Sequence, residues 1–394
     1  MTRFSRFYTP SILVIAVVIA VIVPLFLHTT VREGIYRALV LLVIACPCAL
    51  ITAISLTYLA GIGCAAEQGI TVRSTRAMDD LGSVAAVVFD QKAALEGEDL
   101  RVISVKGDRM EADMLLRIAA HACAYSDGNY AESIKAAYHG TIYIELIQSF
   151  TQEPGRGITV EVDGVSIILG VEEFVREHGL DVDIDAVPDP SVYLAIDGTY
   201  AGRILLGPVA KPLTNAAVTA LSWEKDRQIV MLSDEPAPVA EKFARLVGIG
   251  QYYAGCTTEV KVDTVNDLRD RGRKNTVLLF AGDPKNDPAA FAAADIGLAS
   301  ADRDDGVADV LVTESAPVSV VHVTDTAKRT RSIVRQSVLG ILVFKLAVLL
   351  LDMLGVCPLW LAVFADAGMA LAASVCAMRA LTPKETPLAE DEMT

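Results

Sequence analysis

Cys46-Pro47-Cys48 sits in the middle of an apolar stretch. A proline inside a helix lacks an N–H and disrupts the bond to position i−4, which frees carbonyls near 42–44. In lipid such a break survives only where protein or a watery cavity covers it. Two deprotonated sulfurs there suit a soft or borderline ion such as zinc, cadmium or copper(I). A kinked helix with two inert buried thiols explains the same three residues. Lys345 and Asp366 lie inside two further apolar stretches. A charge at bilayer depth costs at least ~2.5 kcal/mol, so it is usually paired or functional. Asp366 can add an oxygen ligand, with Lys345 as its counter-charge when no ion is bound; a purely structural Lys345–Asp366 pair is the alternative. Asp352 lies nearer a stretch end and reads as interfacial.

The elements that must hold these residues follow from hydropathy. The chain has 394 residues, 53% hydrophobic and only 21% charged, which excludes disorder and argues against an ordinary soluble enzyme. Its net charge of −15 makes nucleic acid an unsuitable partner. Seven scattered cysteines do not form a disulfide framework. Apolar stretches at 10–28, 36–63, 333–355 and 358–380 predict four membrane spans. A signal peptide competes for the first, but it is longer than an h-region and no small-x-small site follows. Arg3, Arg6, Arg73, Arg76, Lys328, Arg329, Arg331, Arg335, Arg379 and Lys384 flank the spans on one side, whereas the short connecting loops hold mainly Arg32. This bias predicts both termini and the large polar segment in the cytoplasm.

That segment alternates β-branched runs with helical patterns. The runs at 84–90, 227–234, 275–283 and 309–313 are separated by helix-like stretches such as 215–225 and 237–248. Such alternation predicts a doubly wound parallel α/β sheet, whose active site lies at the carboxyl ends of its strands. Asp90, Ser233 and Asp283 fall there. Residues 101–199 interrupt the pattern and predict an inserted α+β domain.

The run from Ala45 to Asp90 resembles the core of heavy-metal P-type ATPases, and the resemblance extends in order from Phe4 to Leu381. Lys345 and the Phe364–Ala370 segment around Asp366 resemble the zinc/cadmium/lead-exporting branch, which favours zinc or cadmium over copper. The resemblance implies a membrane α-helical bundle of four spans and a cytosolic α/β haloacid-dehalogenase-like phosphorylation domain with an inserted α+β nucleotide-binding domain. It divides the chain into two spans at 1–69, a phosphorylation domain at 70–100 and 200–327, a nucleotide-binding domain at 101–199, two spans at 328–382 and a tail at 383–394. It implies an integral protein of the plasma (inner) membrane that uses ATP and magnesium to move zinc or cadmium.

The family's signatures are altered here. Its phosphorylated Asp-Lys-Thr-Gly-Thr reads Asp90-Gln91-Lys92-Ala93-Ala94, so the nucleophile position alone is kept. Thr-Gly-Asp reads Ser233-Asp234-Glu235. The magnesium motif reads Gly282-Asp283-Pro284-Lys285-Asn286-Asp287, keeping Asp283, Asn286 and Asp287. Lys261 matches the phosphoryl-contacting lysine. Lys92 is placed to act as an internal counterion to Asp90, partly in place of the ion. In the nucleotide domain, Ser126-Asp127-Gly128-Asn129 replaces the adenine-binding Ser-Glu-His-Pro, while Gly155 and Gly157 match the family's Gly-x-Gly. The chain resembles the second half of a pump, without the actuator's Thr-Gly-Glu. Three functions are therefore expected in turn. The first is a truncated, divergent metal pump impaired on its own, a pseudoenzyme by its altered motifs. The second is a pump half that works with a separate actuator-bearing chain. The third is a membrane-anchored phosphatase, disfavoured because Lys92 stands where that reaction needs an acidic general acid.

Overall fold

The structure is a computed structural model that describes residues 2–27, 30–108, 110–179, 191–224, 227–272, 277–304, 306–313 and 315–383. His28, Lys225, Asn275, Thr276, Lys384 and the rest of the tail, all used above, lie outside these residues. The chain begins with helices α1 (Thr2–Leu27), α2 (Val31–Ala45) and α3 (Cys48–Glu67). Strand β1 (Ile70–Val72), helix α4 (Thr75–Leu81) and strand β2 (Val84–Asp90) follow. A second unit is then built from β3 (Glu96–Gly107), α5 (Ala112–Ala122), α6 (Asn129–Ala137), β4 (Ile147–Glu153), β5 (Gly157–Val162), β6 (Val165–Gly170), α7 (Glu172–Glu177), β7 (Ser191–Ile196) and β8 (Thr199–Ala210). Next come α8 (Thr214–Ser222), β9 (Gln228–Leu232), α9 (Ala237–Val247), β10 (Gln251–Tyr253), α10 (Thr258–Arg271), β11 (Val277–Gly282), α11 (Pro288–Ala293), β12 (Ile296–Ser300) and β13 (Val310–Val312). The described chain ends in α12 (Ala316–Met353), α13 (Leu359–Val363) and α14 (Met369–Ala377).

Among the described residues three helical segments are long and apolar enough to cross a membrane: Val31–Glu67, Ala316–Met353 and Leu359–Ala380. The first expected span falls on α1, whose apolar part among the described residues is Pro10–Phe26. Leu13, Leu339 and Leu371 turn outward and are mostly exposed, as lipid-facing side chains must be. The protein is an integral membrane protein. Inside the bundle, small residues let helices approach. A Cβ on Gly61 of α3 would lie 2.4 Å from Thr330 Oγ1 and 2.8 Å from Thr330 Cγ2 of α12. Gly61→Val is expected to cost about 1–3 kcal/mol by overpacking. Thermal unfolding of the detergent-solubilised chain checks this, and Thr330→Ala in the same chain should recover part of the loss.

One unit comprises 1–94, 213–234 and 248–394 and holds a seven-stranded sheet in the order β1-β13-β12-β11-β2-β9-β10. All its pairings are parallel except the antiparallel edge pair β1–β13. The central strands are continuous apolar runs, as parallel strands covered on both faces require. Val87, Val88 and Phe89 of β2, Val230 to Leu232 of β9 and Leu279 to Ala281 of β11 are buried.

The other unit comprises 95–212 and 235–247. Its six-stranded antiparallel sheet has the order β3-β8-β7-β6-β5-β4. Leu115, Ala119 and Ala122 of α5 and Ala131 and Ile134 of α6 join Ile158, Leu169, Leu194 and Ile204 of the strands in one core. This unit is wider than the 101–199 read from the sequence. Strands β3 and β8 have twelve residues each and pair from Glu96–Ala210 to Gly107–Gly202, which draws both flanks into its sheet.

Candidate functional sites in the membrane and at the sheet edge

The apolar stretch at 36–63 is two helices, because Pro47 interrupts it. Cys46 leaves the helical region at φ −58°, ψ 127°, and α3 restarts at Cys48. The two cysteines have Cα atoms 5.5 Å apart and their sulfurs face each other. The ligand atoms of Cys46, Cys48 and Asp366 all lie within 4.8 Å of one another. Asp366 sits on a π turn, Phe364–Gly368, between α13 and α14. Such wide turns re-aim side chains and recur at functional sites. Lys345 of α12 donates to Asp366 Oδ1 at 2.8 Å, to the Ile44 carbonyl at 3.1 Å and to the Cys46 carbonyl. One ammonium thus serves the carboxylate and two carbonyls at the helix break. Its side chain is 10% exposed and that of Asp366 19%. Apolar clusters on either side hold the helices: Val40, Ile44, Val348, Ala362 and Ala365 in one, Ala49, Ala53, Ile341 and Ala373 in the other. Asp352 is buried near the end of α12.

The second site lies at the carboxyl ends of the central strands. Asp90 closes β2, and Ser233 and Asp283 directly follow β9 and β11, the two neighbours of β2. Gly282 is required there, since a Cβ would meet the Phe280 ring at 2.8 Å and Asp90 Cβ at 3.4 Å. Asp90, Asp283 and Asp287 line one cavity of about 640 Å³ with Lys92, Asp234, Cys256, Lys261, Asn286 and Arg303. Ser233 is buried beside it, its N–H donated to the Tyr253 carbonyl.

Lys261 reaches the cavity from the first turn of α10, capped by the Thr257 hydroxyl. Its ammonium donates to Asp90 Oδ2 at 2.5 Å and to Asp287 Oδ2 at 2.9 Å. Burial pulls the Lys261 ammonium down, but the two carboxylates outweigh it and hold it above its ordinary value. Burial raises Asp287, the facing Asp90 and Asp234 charges add to this, and Lys261 offsets only part, so it titrates above the usual carboxylate range. Burial likewise raises the Cys256 thiol.

The altered loop folds as a π turn, Gln91–Leu95, and the Ala93 N–H donates to Asp90 Oδ1 at 2.9 Å. Lys92 does not neutralise Asp90 as the sequence suggested. It points to Asp234 at 3.9 Å, largely exposed, because Lys261 already occupies Asp90 Oδ2. Asn286 donates to Asp283 Oδ2 at 3.0 Å. Sequence reasoning missed Arg303, which also reaches Asp283 Oδ2, at 3.3 Å. In the other unit Gly155 takes φ +77° in the β4–β5 turn, where a side chain would be strained. A Cβ on Gly157 would strike the Phe174 ring at 2.1 Å. Gly155 thus has a conformational reason of its own and Gly157 a packing one. Ser126 and Gly128 form a local turn, with Gly128 N–H donated to the Ser126 hydroxyl at 3.4 Å.

Asp90 thus ends a strand with Lys261 on it, and Cys46-Pro47-Cys48 breaks the apolar stretch beside Asp366. No protein-family model matches the chain. It is 33% identical to the cadmium, zinc and cobalt-transporting ATPase of Bacillus subtilis (strain 168), over 97% of this chain and 55% of that protein. It is 35% identical to the zinc-transporting ATPase of Synechocystis sp., over 96% of this chain and 53% of the relative. The chain spans about half the length of the curated relatives it matches. One crystal structure of a zinc-transporting PIB-type ATPase superposes with TM-score 0.78 at 27% identity, covering 96% of this chain and 63% of that one. A second crystal structure of such a protein, in another state, gives TM-score 0.77 at 26% identity with the same coverage. The chain belongs to the heavy-metal P-type ATPases, beside the members named for zinc and cadmium transport.

Proposed function

We propose that the chain carries the ion-binding and phosphorylation machinery of a zinc- or cadmium-translocating P-type ATPase, with α1 as a fourth span and the two sheet units in the cytoplasm. The observation that carries this reading is the convergence of Cys46, Cys48 and Asp366 within 4.8 Å at a helix break, with Lys345 on Asp366. Two sulfurs and one carboxylate suit a borderline divalent ion, which is the cargo. Lys345 holds the site neutral when the cargo is absent.

In this reading Asp90 is the phosphoryl acceptor and Lys261 its charge partner, with Ser233 as a hydroxyl donor to the phosphoryl group. Asp90, Asp283 and Asp287 offer hard oxygens to one cavity, a donor set that fits magnesium, and Asn286 orients Asp283. Bound there, magnesium would offset phosphate charge. The unit containing Gly155 and Gly157 takes ATP, weakly, because Gly128 and Asn129 replace the adenine-binding His-Pro pair. Turnover by this chain alone is impaired, since Gln91, Lys92, Ala93 and Ala94 supply few of the family's phosphate contacts.

Equilibrium binding of zinc or cadmium to the purified full chain tests the central claim. One ion per chain is expected, falling to none in Cys46→Ala/Cys48→Ala and in Asp366→Ala. Unchanged stoichiometry in both variants would reject the site.

A further inference from the structure

We propose that Arg303 is a built-in cation that competes with the divalent metal for Asp283, and so keeps the phosphorylation cavity in a metal-poor resting state. This inference rests on the reading above, in which Asp90, Asp283 and Asp287 take a divalent ion.

Asp283 has little free capacity. Its Oδ1 accepts the Lys285 N–H at 2.9 Å, and its Oδ2 accepts from Asn286 at 3.0 Å and from Arg303 Nη1 at 3.3 Å. Its side chain is 9% exposed, whereas that of Arg303 is 41% exposed, so the carboxylate is enclosed and water reaches the pair from the arginine side. The rest of the cavity follows the same pattern. Lys261 bridges Asp90 and Asp287, and Lys92 faces Asp234. Each of the three lining cations thus has a lining carboxylate, three positive charges against four negative ones.

Arg303 is held in position by its surroundings. It ends a single 3-10 turn, Ala301–Arg303, that directly follows β12. Because β12 pairs in parallel with β11, this turn emerges at the same sheet edge as Asp283. The next residue, Asp304, is pinned by Arg73 at 2.5 Å. A guanidinium keeps its charge at every working pH and cannot withdraw by losing a proton. A divalent ion approaching Asp283 must therefore either displace Arg303 or bind beside it against Coulomb repulsion.

Manganese, a paramagnetic stand-in for magnesium, provides the test. Free Mn2+ is followed by its electron paramagnetic resonance signal during titration of the purified full chain, and the cavity site is the one lost in Asp287→Ala. Arg303→Ala should bind Mn2+ at least about tenfold more tightly than the unmodified chain. Arg303→Lys, which keeps the charge, should bind as weakly as the unmodified chain. Equal measurable affinity in the unmodified chain and Arg303→Ala overturns the inference and leaves the metal reading standing. Equal tightening by Ala and Lys also overturns it, since bulk rather than charge would be responsible. No Mn2+ uptake by any of them at millimolar concentration removes both.

Discussion

Lys345→Met is expected to lower the stability of the metal-free chain by about 3–5 kcal/mol, the typical cost of removing one partner of a buried ion pair. Two losses add up. Asp366 is left as an uncompensated charge inside the bundle, and the Ile44 and Cys46 carbonyls lose their shared donor. An orphaned buried acceptor alone costs about 1–3 kcal/mol. Zinc should restore much of the loss, because an ion on Cys46, Cys48 and Asp366 supplies the positive charge that Lys345 gave. Mass action stabilises the bound state by about 2.7 kcal/mol at a hundredfold excess over Kd. Lys345→Met/Asp366→Leu separates charge from packing. With both charges gone it should regain most of its stability without zinc and show no stabilisation by zinc. Denaturant unfolding in detergent, with and without zinc, reads all three chains. Equal stability of Lys345→Met and the unmodified chain would show that the ammonium is not the neutralising element.

Much of this intramembrane arrangement is legible in sequence because lipid makes polar atoms conspicuous. Pro47 announces the break between α2 and α3, and two charges within apolar stretches point to each other. The π turn that aims Asp366 leaves no such signal, since Phe364 to Gly368 read as ordinary helix. The parallel sheet is legible from apolar runs ending in Asp90, Ser233 and Asp283, as the carboxyl ends of neighbouring parallel strands must share an edge. Side chains arriving from loops are another matter. Arg303 reaches Asp283 from twenty residues away through a turn fixed by β12 and Arg73, and neither periodicity nor spacing encodes that. Lys92 illustrates the converse. It lies two positions from Asp90, yet Lys261, 171 positions away, takes the contact. Gly157 shows that a motif glycine can have a local cause, here the Phe174 ring, that only packing reveals.

Restoring the phosphorylation loop should produce the largest change in chemistry. The chain carrying Gln91→Lys, Lys92→Thr, Ala93→Gly and Ala94→Thr is expected to accumulate at least about a hundredfold more phosphoenzyme than the unmodified chain. A single preorganised donor to a developing oxyanion is worth ~2.7–4 kcal/mol, or roughly 10² to 10³ in rate. The present loop keeps Asp90, the proposed acceptor, in place. Asp90 remains at the strand end beside Asp283, with one oxygen on Lys261 and the other on the Ala93 N–H. What it lacks are donors for the incoming phosphoryl group. Gln91 is buried, Ala93 and Ala94 carry no hydroxyl, and Lys92 turns outward to Asp234. Ala94 is 2% exposed, so Ala94→Thr must find room against the packed Leu95, and a fall in thermal stability would report strain there. Radiolabel from ATP, acid-stable and labile to hydroxylamine, measures the aspartyl phosphate, and Asp90→Asn in the restored chain should abolish it. Phosphoenzyme should return before turnover, because the restored residues act on phosphoryl transfer to Asp90 and leave its hydrolysis unchanged. Steady zinc-stimulated ATP hydrolysis by the unmodified chain, lost in Asp90→Asn, would instead show that the present loop already supports the full cycle.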